Sequence, residues 1–381
     1  MSDQLQSAEP ASDAGRKPRV AIVFGGRSSE HAVSCISAGS VLAAIDRDSY
    51  DVVPIGISRE GRWVLAADEP AALAIRSGRL PSVEAAGGAV LLAGDPTSAG
   101  LVVLEPGKVP QELGGVDVVL PLLHGPYGED GTLQGLLELA GVRYVGSGVF
   151  ASAAAMDKGH MKALLAAAGL PIGAYAVVTP RDWATDPAAV RETVAALGFP
   201  VFVKPCRAGS SVGISKVDRP EDLDRAIEEA RGHDPRVIIE AAVAGREIEC
   251  GVLEGLEGGP PEASVPAEVA VAGHEFYDFE AKYLPDEGTR LDVPADIPDD
   301  VAAEIRGMAC KVFDVLSCEG LARVDFFLTD GGRVLVNELN TMPGFTPSSM
   351  FPLMWRESGL DYPALVDRLI RTALQRTAGL R

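Results

Sequence analysis

The sequence predicts a mixed α/β (α+β) fold that begins with an open, N-terminal α/β domain. Two observations predict that domain. The apolar run 20–24 meets a Gly-Gly pair and then a helical stretch, and the apolar run 116–123 meets a second Gly-rich loop before another helix. A third observation lies near the C-terminus, where two apolar-rich runs flank Gly331 and Gly332 as in a β-hairpin.

Length and composition agree with more than one domain. With 381 residues, 47% of them hydrophobic, the chain is long enough to bury two or three cores. We predict a disordered lead-in over 1–18 and a substrate-binding α/β domain over 19–145. A central part with a phosphate-covering loop follows over 146–235, and a C-terminal part with a metal site and a second lid loop over 236–381.

The charge balance excludes one class of partner. Lys and Arg total 34 against 54 Asp and Glu, which gives a net charge of −20 and excludes nucleic acid or an anionic membrane as the main partner. The five cysteines have no C-x-x-C spacing, and the N-terminal segment lacks the apolar centre of a signal peptide. We therefore expect a cytoplasmic protein in a reducing compartment.

The first strand leads into a loop that can bind an anion. Gly25 and Gly26 precede R-S-S-E-H-A-V-S, and backbone N–H groups at a helix start attract negative charge. The full G-x-G-x-x-G pattern is absent, which weakens any prediction of dinucleotide binding. Glu30 has two interpretations at this position: an acid that offsets the helix dipole, or a receptor for a substrate ammonium.

A second loop of this kind starts at His124, in H-G-P-Y-G-E-D-G-T-L-Q-G. Function in open α/β sheets gathers at the carboxyl ends of strands, where this loop and the Gly25 loop both lie. His124 is either a hydrogen-bonded structural histidine or a site residue, and its Gly-rich loop favours the site. Residues 66–110 contain no motif to which we can assign chemistry.

The middle of the chain carries features of a nucleotide pocket. Lys158 lies in an Ala-rich helix and Lys204 ends a strand, although each lysine alone is more often a solvated side chain. The loop R-A-G-S-S-V-G-I-S-K after Lys204 can cover phosphates as a lid, since no G-x-x-x-x-G-K-[ST] is present. Glu240 and Glu247 stand at strand ends, where they either contact ribose and adenine or are ordinary edge charges. The polar segment 274–290 predicts a second lid.

The predicted hairpin groups polar side chains on one face. With the Gly-Gly pair as a two-residue loop, Asp325 lies opposite Glu338 and Arg323 opposite Asn340. Facing carboxylates repel unless a cation lies between them, and Mg²⁺ with phosphate co-ligands meets that need. Arg323 alone neutralises part of the charge, and a solvated acidic face is the alternative. The loop N-T-M-P-G-F-T-P-S-S that follows suits an anionic group, so the hairpin indicates phosphoryl chemistry.

The combined pattern resembles the D-alanine–D-alanine ligase family of the ATP-grasp superfamily, from about residue 19 to about residue 370. The matching stretches are F-G-G-R-S-S-E-H-A-V-S, H-G-P-Y-G-E-D-G-T-L-Q-G, M-D-K, V-K-P-C-R-A-G-S-S-V-G, Y-D-F-E-A-K-Y, R-V-D-F-F and N-E-L-N-T-M-P-G-F-T-P-S-S. The resemblance implies an ATP-grasp fold, a homodimer, and ATP-dependent ligation of two D-alanine molecules through a D-alanyl phosphate, for peptidoglycan precursor synthesis.

The resemblance also implies roles for the residues at matching positions. Two Mg²⁺ ions, which Mn²⁺ can replace, would be held by Asp325, Glu338 and Asn340. ATP would be bound by Lys158, Lys204, Lys282, Ser210, Ser211, Glu240 and Glu247. The two D-alanines would be bound by Glu30, His124, Arg323, Ser349 and Met350, with Glu30 on the first ammonium and Ser349 on the second carboxylate. The oxyanion would be stabilised by Arg323 and the backbone N–H of Gly344.

In this family a hydrogen-bonded triad ties the lid loops shut, and it matches Ser210, Glu247 and Tyr283. Tyr283 favours a dipeptide product, since members that make the ester D-alanyl-D-lactate often carry Phe there. Two other hypotheses remain: a different carboxylate–amine or carboxylate–hydroxy-acid ligase, and a non-catalytic nucleotide-binding regulator. The complete set of metal ligands and lid residues speaks against the regulator.

Overall fold

The computed structural model describes residues 16–76, 78–97, 100–210, 212–271 and 289–377. Within these ranges the chain forms three sheets with helices packed on them, which agrees with the mixed α/β fold expected from the sequence. None of the helices in this part of the chain is long and apolar enough to cross a bilayer.

The N-terminal sheet contains the two Gly-rich loops. Its strands are β1 (Arg19–Gly25), β2 (Asp51–Ile57), β3 (Trp63–Leu65), β4 (Ala89–Leu92), β5 (Gly100–Leu104), β6 (Gln111–Gly115), β7 (Val118–Pro121) and β8 (Arg143–Tyr144). They lie in the order β6-β5-β4-β3-β2-β1-β7-β8, and the four strands from β2 to β8 in this order run parallel. The helices are α1 (His31–Ala44) and α2 (Thr132–Leu139), with a 3₁₀ turn over Pro70–Leu73. Because β1 and β7 are parallel neighbours, the loops at their carboxyl ends lie side by side as expected.

The second sheet is antiparallel, in the order β11-β10-β12-β9. Its strands are β9 (Tyr175–Val178), β10 (Val201–Pro205), β11 (Ser215–Val217) and β12 (Val237–Ala241). The helices of this part are α3 (Val149–Met156), α4 (Lys158–Ala167), α5 (Pro180–Thr185), α6 (Pro187–Ala195) and α7 (Leu223–Arg231), with a 3₁₀ turn over Pro220–Asp222. β12 lies inside this sheet, whereas the boundary we predicted between residues 235 and 236 assigns that strand to the C-terminal part.

The third sheet is also antiparallel, in the order β16-β15-β13-β17-β18, with β14 paired to β13. Its strands are β13 (Gly245–Leu253), β14 (Glu262–Ala263), β15 (Ala267–Val271), β16 (Thr289–Asp292), β17 (Leu321–Thr329) and β18 (Val334–Asn340). The helices are α8 (Asp299–Val315), α9 (Met350–Glu357) and α10 (Tyr362–Gln375), with a 3₁₀ turn over Leu256–Gly258.

Two apolar clusters join these parts. In the first, α9 and α10 at the C-terminal end pack with α1 against β1 and β7 of the N-terminal sheet, through residues such as Phe24, Phe351 and Leu369. In the second, α3, α4 and α8 cover one face of the third sheet, with Phe326 and Val336 in the interior. The other face of the third sheet is covered in part by α9, and the rest of it lines a cavity.

The hairpin of β17 and β18 corrects one prediction. Its loop has three residues, 330–332, rather than the two glycines predicted. Asp325 nevertheless lies opposite Glu338, and Arg323 opposite Asn340, as predicted. The reason is a β-bulge in β18, where Asn337 has no partner and restores the register that the longer loop shifts.

Candidate active site

The candidate active site is a cavity of about 540 Å³ between the second and third sheets. Strands β10 and β12 line one side, β13, β17 and β18 line the other, and the loops after β1 and β7 contribute to one end. The lining includes these predicted site residues: Glu30, His124, Lys158, Lys204, Ser210, Glu240, Glu247, Arg323, Asp325, Glu338, Asn340 and Gly344.

The face predicted to bind metal is organised around Asp325. Arg323 donates to both carboxylate oxygens of Asp325 at 2.7 Å, and Asn340 Nδ2 donates to Oδ2 at 3.0 Å. Arg323 Nε also lies 3.1 Å from Oε2 of Glu249. Burial would lower the pKa of Arg323, but the carboxylates of Asp325 and Glu249 raise it well above its ordinary value. Arg323 is therefore a permanent cation inside the cavity.

These donors fit a hard divalent ion that also binds phosphate. No group of three or more His, Cys, Asp or Glu side chains converges in the part of the chain that the structure describes. Magnesium needs no such cage, because it binds through one or two carboxylates together with phosphate oxygens and water. Asp325, Glu338 and the side-chain oxygen of Asn340 form a donor set of that kind on one strand pair.

A second charge cluster lies beside this face, and it includes a lysine that the sequence analysis missed. Glu240 accepts from Lys204 at 2.6 Å and from Lys162 at 2.8 Å, and Lys162 also donates to the carbonyl oxygen of Asn337 at 3.0 Å. Burial would raise the pKa of Glu240, but the two ammonium groups lower it to about 2. The bulge residue thus supplies a backbone oxygen to the lysine that holds Glu240.

The spacing of Lys162 from Lys158 was a signal in the sequence for its place in the site. Lys162 lies four residues after Lys158, so both project from the same face of α4. Lys158 Nζ donates to the carbonyl oxygen of Ala208 at 2.9 Å and lies 3.4 Å from Glu338 Oε2. It therefore connects the Gly/Ser loop to the face predicted to bind metal.

At the end of the cavity lined by the loops after β1 and β7, Glu30 is held by the Gly/Ser loop. The hydroxyl of Ser210 donates to Glu30 Oε1 at 2.6 Å. The predicted triad of Ser210, Glu247 and Tyr283 did not include Glu30, which accepts from the Ser210 hydroxyl here. The triad itself stays a prediction, because Tyr283 lies outside the described residues. Glu247 lies on β13 and lines the cavity.

Two glycines leave room for the Glu30 carboxylate. A Cβ on Gly125 or on Gly209 would lie 3.0 Å from Glu30 Oε2. Gly125 also has φ of +73°, a conformation that side chains rarely adopt. The Gly-rich character of both loops therefore has a steric cause at this site.

His124 and Glu129 hold the start of the loop after β18. His124 Nδ1 lies 3.0 Å from the carbonyl oxygen of Met342, and the N–H of Met342 donates to Glu129 Oε1 at 2.9 Å. The N–H of Gly125 donates to Glu129 Oε2 at 2.7 Å. We call these contacts the Met342 clamp. Gly344, the predicted oxyanion donor, lies two residues after Met342. The clamp therefore holds the backbone that leads to Gly344.

Burial affects the charge state of both clamp residues. It lowers the pKa of His124, which favours the neutral imidazole. Burial and the nearby charge of Glu30 raise the pKa of Glu129 to about 8. Glu129 was not among the predicted site residues, although an acid inside the Gly-rich segment H-G-P-Y-G-E-D-G was a usable signal.

The remaining predicted residues lie elsewhere. Ser349 occupies the N-cap position of α9 without a side-chain capping bond; its hydroxyl lies 2.8 Å from Thr346 Oγ1, and it does not line the cavity. The side chain of Met350 packs in an apolar cluster with Val269 and Met354. Three predicted residues fall outside the described ranges: Ser211, Lys282 and Tyr283.

Comparison with known proteins agrees with this geometry. Residues 19–147 match the family described as the D-ala D-ala ligase N-terminus, and residues 164–371 match the D-ala D-ala ligase C-terminus. A D-alanine--D-alanine ligase of Streptomyces griseus is 58% identical over 99% of this chain and 97% of its own length. One of Kineococcus radiotolerans is 60% identical over 96% of this chain and 99% of its own length.

Solved structures agree as well. The VanG D-Ala:D-Ser ligase of Enterococcus faecalis has a TM-score of 0.81 and 34% identity, covering 94% of this chain and 100% of that one. The D-alanine-D-alanine ligase of Coxiella burnetii has a TM-score of 0.77 and 34% identity, covering 94% of both chains. The full-length sequence match, the shared fold and the arrangement of the cavity lead to one conclusion: this chain belongs to the D-alanine–D-alanine ligase family and has its ATP-grasp fold.

Proposed function

We propose that this chain joins two molecules of D-alanine to D-alanyl-D-alanine, with cleavage of ATP to ADP and phosphate, for peptidoglycan precursors. One observation carries the proposal. A single cavity holds a cationic and oxygen-rich end (Lys158, Lys204, Asp325, Glu338) and an end with a carboxylate suited to an ammonium group, Glu30. A nucleotide and an amino acid can therefore meet in one enclosed space.

In the first step the carboxylate of one D-alanine attacks the γ-phosphorus of ATP, ADP leaves, and a D-alanyl phosphate forms. Lys158 and Lys204 lie where they can neutralise phosphate charge, and Lys162 keeps Glu240 and the bulge of β18 in place. Asp325, Glu338 and Asn340 are the residues that would hold Mg²⁺. When bound, Mg²⁺ supplies further positive charge to the phosphate oxygens.

In the second step the amine of the other D-alanine attacks the acyl carbon, and phosphate leaves with the bonding electrons of the acyl–oxygen bond. The tetrahedral intermediate carries an oxyanion, and Arg323, a buried cation in the cavity wall, would stabilise it. The N–H of Gly344 is the second donor in this proposal. Each such donor typically lowers the barrier by about 3 kcal/mol.

The identity of the second substrate is the open alternative. One structural relative is a D-Ala:D-Ser ligase at 34% identity, whereas D-alanine--D-alanine ligases reach 58% to 60%. The higher identity supports D-alanine as the acceptor. D-serine and D-lactate are therefore the competitors to include in an assay.

We also propose a homodimer, which the family resemblance implies. Four large apolar side chains on α2 and α3 are exposed: Leu136, Leu139, Val149 and Phe150. In a chain of net charge −20, a surface that exposes several apolar side chains gives two copies a place to meet with less repulsion. Light scattering should give the mass of a dimer, and Phe150→Ser should shift it toward the monomer. A monomeric parent protein would contradict this part of the proposal.

The test of the activity is ADP formation with ATP, Mg²⁺ and D-alanine, with the product identified by mass. We expect ADP release that requires D-alanine, a D-alanyl-D-alanine product even with D-serine or D-lactate present, and loss of both in Glu338→Gln. Glu304→Gln, on the exposed side of α8, is the matched control and should retain activity. Folded protein that releases no ADP in response to D-alanine would leave the nucleotide-binding regulator as the better description.

A further inference from the structure

The segment 66–110, to which no chemistry was assigned from the sequence, makes a polar contact with the loop that carries Glu30. His31, the first residue of α1, is fully buried. Its Nε2 accepts from the N–H of Val83 at 3.0 Å, and its Nδ1 lies 2.7 Å from the carbonyl oxygen of Gly26. Because Nε2 is an acceptor, Nδ1 carries the proton and donates to Gly26. The neutral ring therefore bridges the β1–α1 loop and the segment that contains Val83.

That segment, residues 70–76 and 78–83, is here called the strap. Its 3₁₀ turn packs on α1, where a Cβ on Gly39 would lie 3.0 Å from Leu73. At its other end Val83 packs on two glycines of neighbouring strands. A Cβ on Gly25 would lie 2.9 Å from Val83 Cγ2, and one on Gly56 would lie 2.7 Å from Val83 Cγ1. The strap thus lies against the backbone of the loop that carries Glu30.

The inner side of the same loop is held by serines. The N–H of Gly25 donates to Ser34 Oγ at 2.7 Å, and Ser28 Oγ donates to the carbonyl oxygen of His124 at 2.7 Å. The N–H of Ser34 donates to the carbonyl oxygen of Glu30 at 3.0 Å. His31 holds the outer side through Gly26, and the strap holds His31. The backbone of Glu30 is therefore fixed between the His124 loop and the strap.

We propose that His31 is a positioning residue for the first amino-acid subsite, acting through its hydrogen bonds to Gly26 and Val83 to hold the Glu30 carboxylate in place. This inference rests on the proposed function, in which Glu30 receives the ammonium of the first D-alanine. His31 itself does not line the cavity. Its loss should weaken binding at the first subsite and leave the nucleotide end unchanged.

The test measures ADP formation against D-alanine concentration at saturating ATP, which separates the KM of the first subsite from that of the second. His31→Asn keeps a donor for Gly26 but cannot reach Val83. We expect this variant to raise the first KM for D-alanine about fivefold to tenfold, which is the effect of one lost hydrogen bond. Its kcat and its KM for ATP should stay within about twofold of those of the parent protein. Val83→Pro removes the donor N–H from the other side and should give a similar change, whereas Val83→Ala keeps that N–H and should change the first KM less.

A double variant distinguishes positioning from general damage. If both changes act through one hydrogen bond, His31→Asn with Val83→Pro should be no worse than either alone. Additive effects, or equal increases in all three KM values, would overturn the inference. Thermal unfolding checks that each variant is folded.

The pH dependence gives a second measurement. Burial lowers the pKa of His31 below its ordinary value of 6.5, and the charged groups that affect it are Arg59 and Glu60 of the β2–β3 turn. A protonated ring cannot accept from Val83, so the first KM of the parent protein should rise at acid pH, below the ordinary imidazole pKa. His31→Asn should lack this rise. A rise of equal size in both proteins would contradict the role of the ring.

Glu30→Gln tests the assignment of Glu30 to the first D-alanine separately from the positioning role of His31. If it leaves the first KM unchanged, both the assignment of Glu30 and the role of His31 are overturned. If it raises the first KM and the His31 and Val83 variants do not, only the positioning role is overturned.

Discussion

The two ends of the cavity are stabilised in different ways. At the phosphate end, buried charges hold one another: Lys204 and Lys162 share Glu240, and Arg323 binds Asp325 in a two-point contact. At the amino-acid end, Glu30 accepts from a hydroxyl. There Glu129 accepts from two backbone N–H groups.

The difference follows from what each end must bind. The phosphate end must neutralise several negative charges, and lysines already paired with carboxylates remain charged and in place while buried. The amino-acid end must hold one small zwitterion, for which the position of a few groups matters more than total charge. Variants at the phosphate end should therefore act mainly on kcat and on ATP binding, whereas variants at the amino-acid end should leave ATP binding unchanged.

The largest effect should come from Arg323→Lys. Lysine keeps the charge but cannot make the two-point contact with Asp325, and the contact of the guanidinium with Glu249 is lost. We expect kcat to fall about 100-fold or more, measured as ADP release at saturating substrates. Arg290→Lys, an exposed ion pair on β16, is the control and should be nearly neutral. A fall of less than about threefold would exclude Arg323 from oxyanion stabilisation.

The next largest effect should come from Lys162→Met, which removes a cation that the sequence analysis did not identify. Glu240 would keep only Lys204, and the carbonyl oxygen of Asn337 would lose its donor. We expect the KM for ATP to rise about tenfold or more, with both D-alanine KM values little changed. Lys311→Met on the exposed face of α8 is the control. An unchanged KM for ATP would exclude Lys162 from ATP binding and leave it only a structural role.

A smaller effect is expected for Glu129→Gln, which tests the Met342 clamp. An amide has one acceptor oxygen, so one of the two N–H groups that Glu129 binds would face a donor. We expect kcat to fall about tenfold while the KM for ATP stays constant. An effect on ATP binding instead would contradict the separation of the two ends.

Glu129 also predicts a dependence of stability on pH. Its folded-state pKa is raised from 4.5 to about 8, so between these values the folded chain binds a proton that the unfolded chain has lost. This group's contribution to the free energy of unfolding is therefore present below pH 4.5 and is lost as the pH rises to about 8. Denaturant unfolding at several pH values should show a flatter dependence for Glu129→Gln. Parallel curves for the two proteins would contradict the raised pKa.

The smallest effect should come from Gly209→Ala. The new methyl group would lie 3.0 Å from Glu30 Oε2, close enough to displace the carboxylate by a few tenths of an ångström. We expect the first D-alanine KM to rise about threefold and kcat to change little. Gly135→Ala, in open space on α2, is the control. An equal change in the control would remove the steric explanation.

The sequence predicted the phosphate end better than the amino-acid end. Lys158 and Lys204 stand at recognisable positions in a helix and a strand, and the pairing of Asp325 with Glu338 follows from alternation along a hairpin. These features are local, so spacing reveals them. The hairpin differs from the predicted one in two ways, a longer loop and a bulge, and no local pattern indicated either. The predicted pairing is correct only because the two differences compensate for each other.

By itself, the sequence determined the fold class, the family and most of the charged residues that line the cavity, because strand periodicity and motif spacing are properties of neighbouring residues. Only the tertiary structure decided which distant groups meet. Ser210 forms a hydrogen bond with Glu30, 180 positions away in the chain. Likewise, Met342 donates to Glu129, and Val83 donates to His31. Such contacts depend on how three sheets pack, since a hydrogen bond between separate loops leaves no spacing in the sequence.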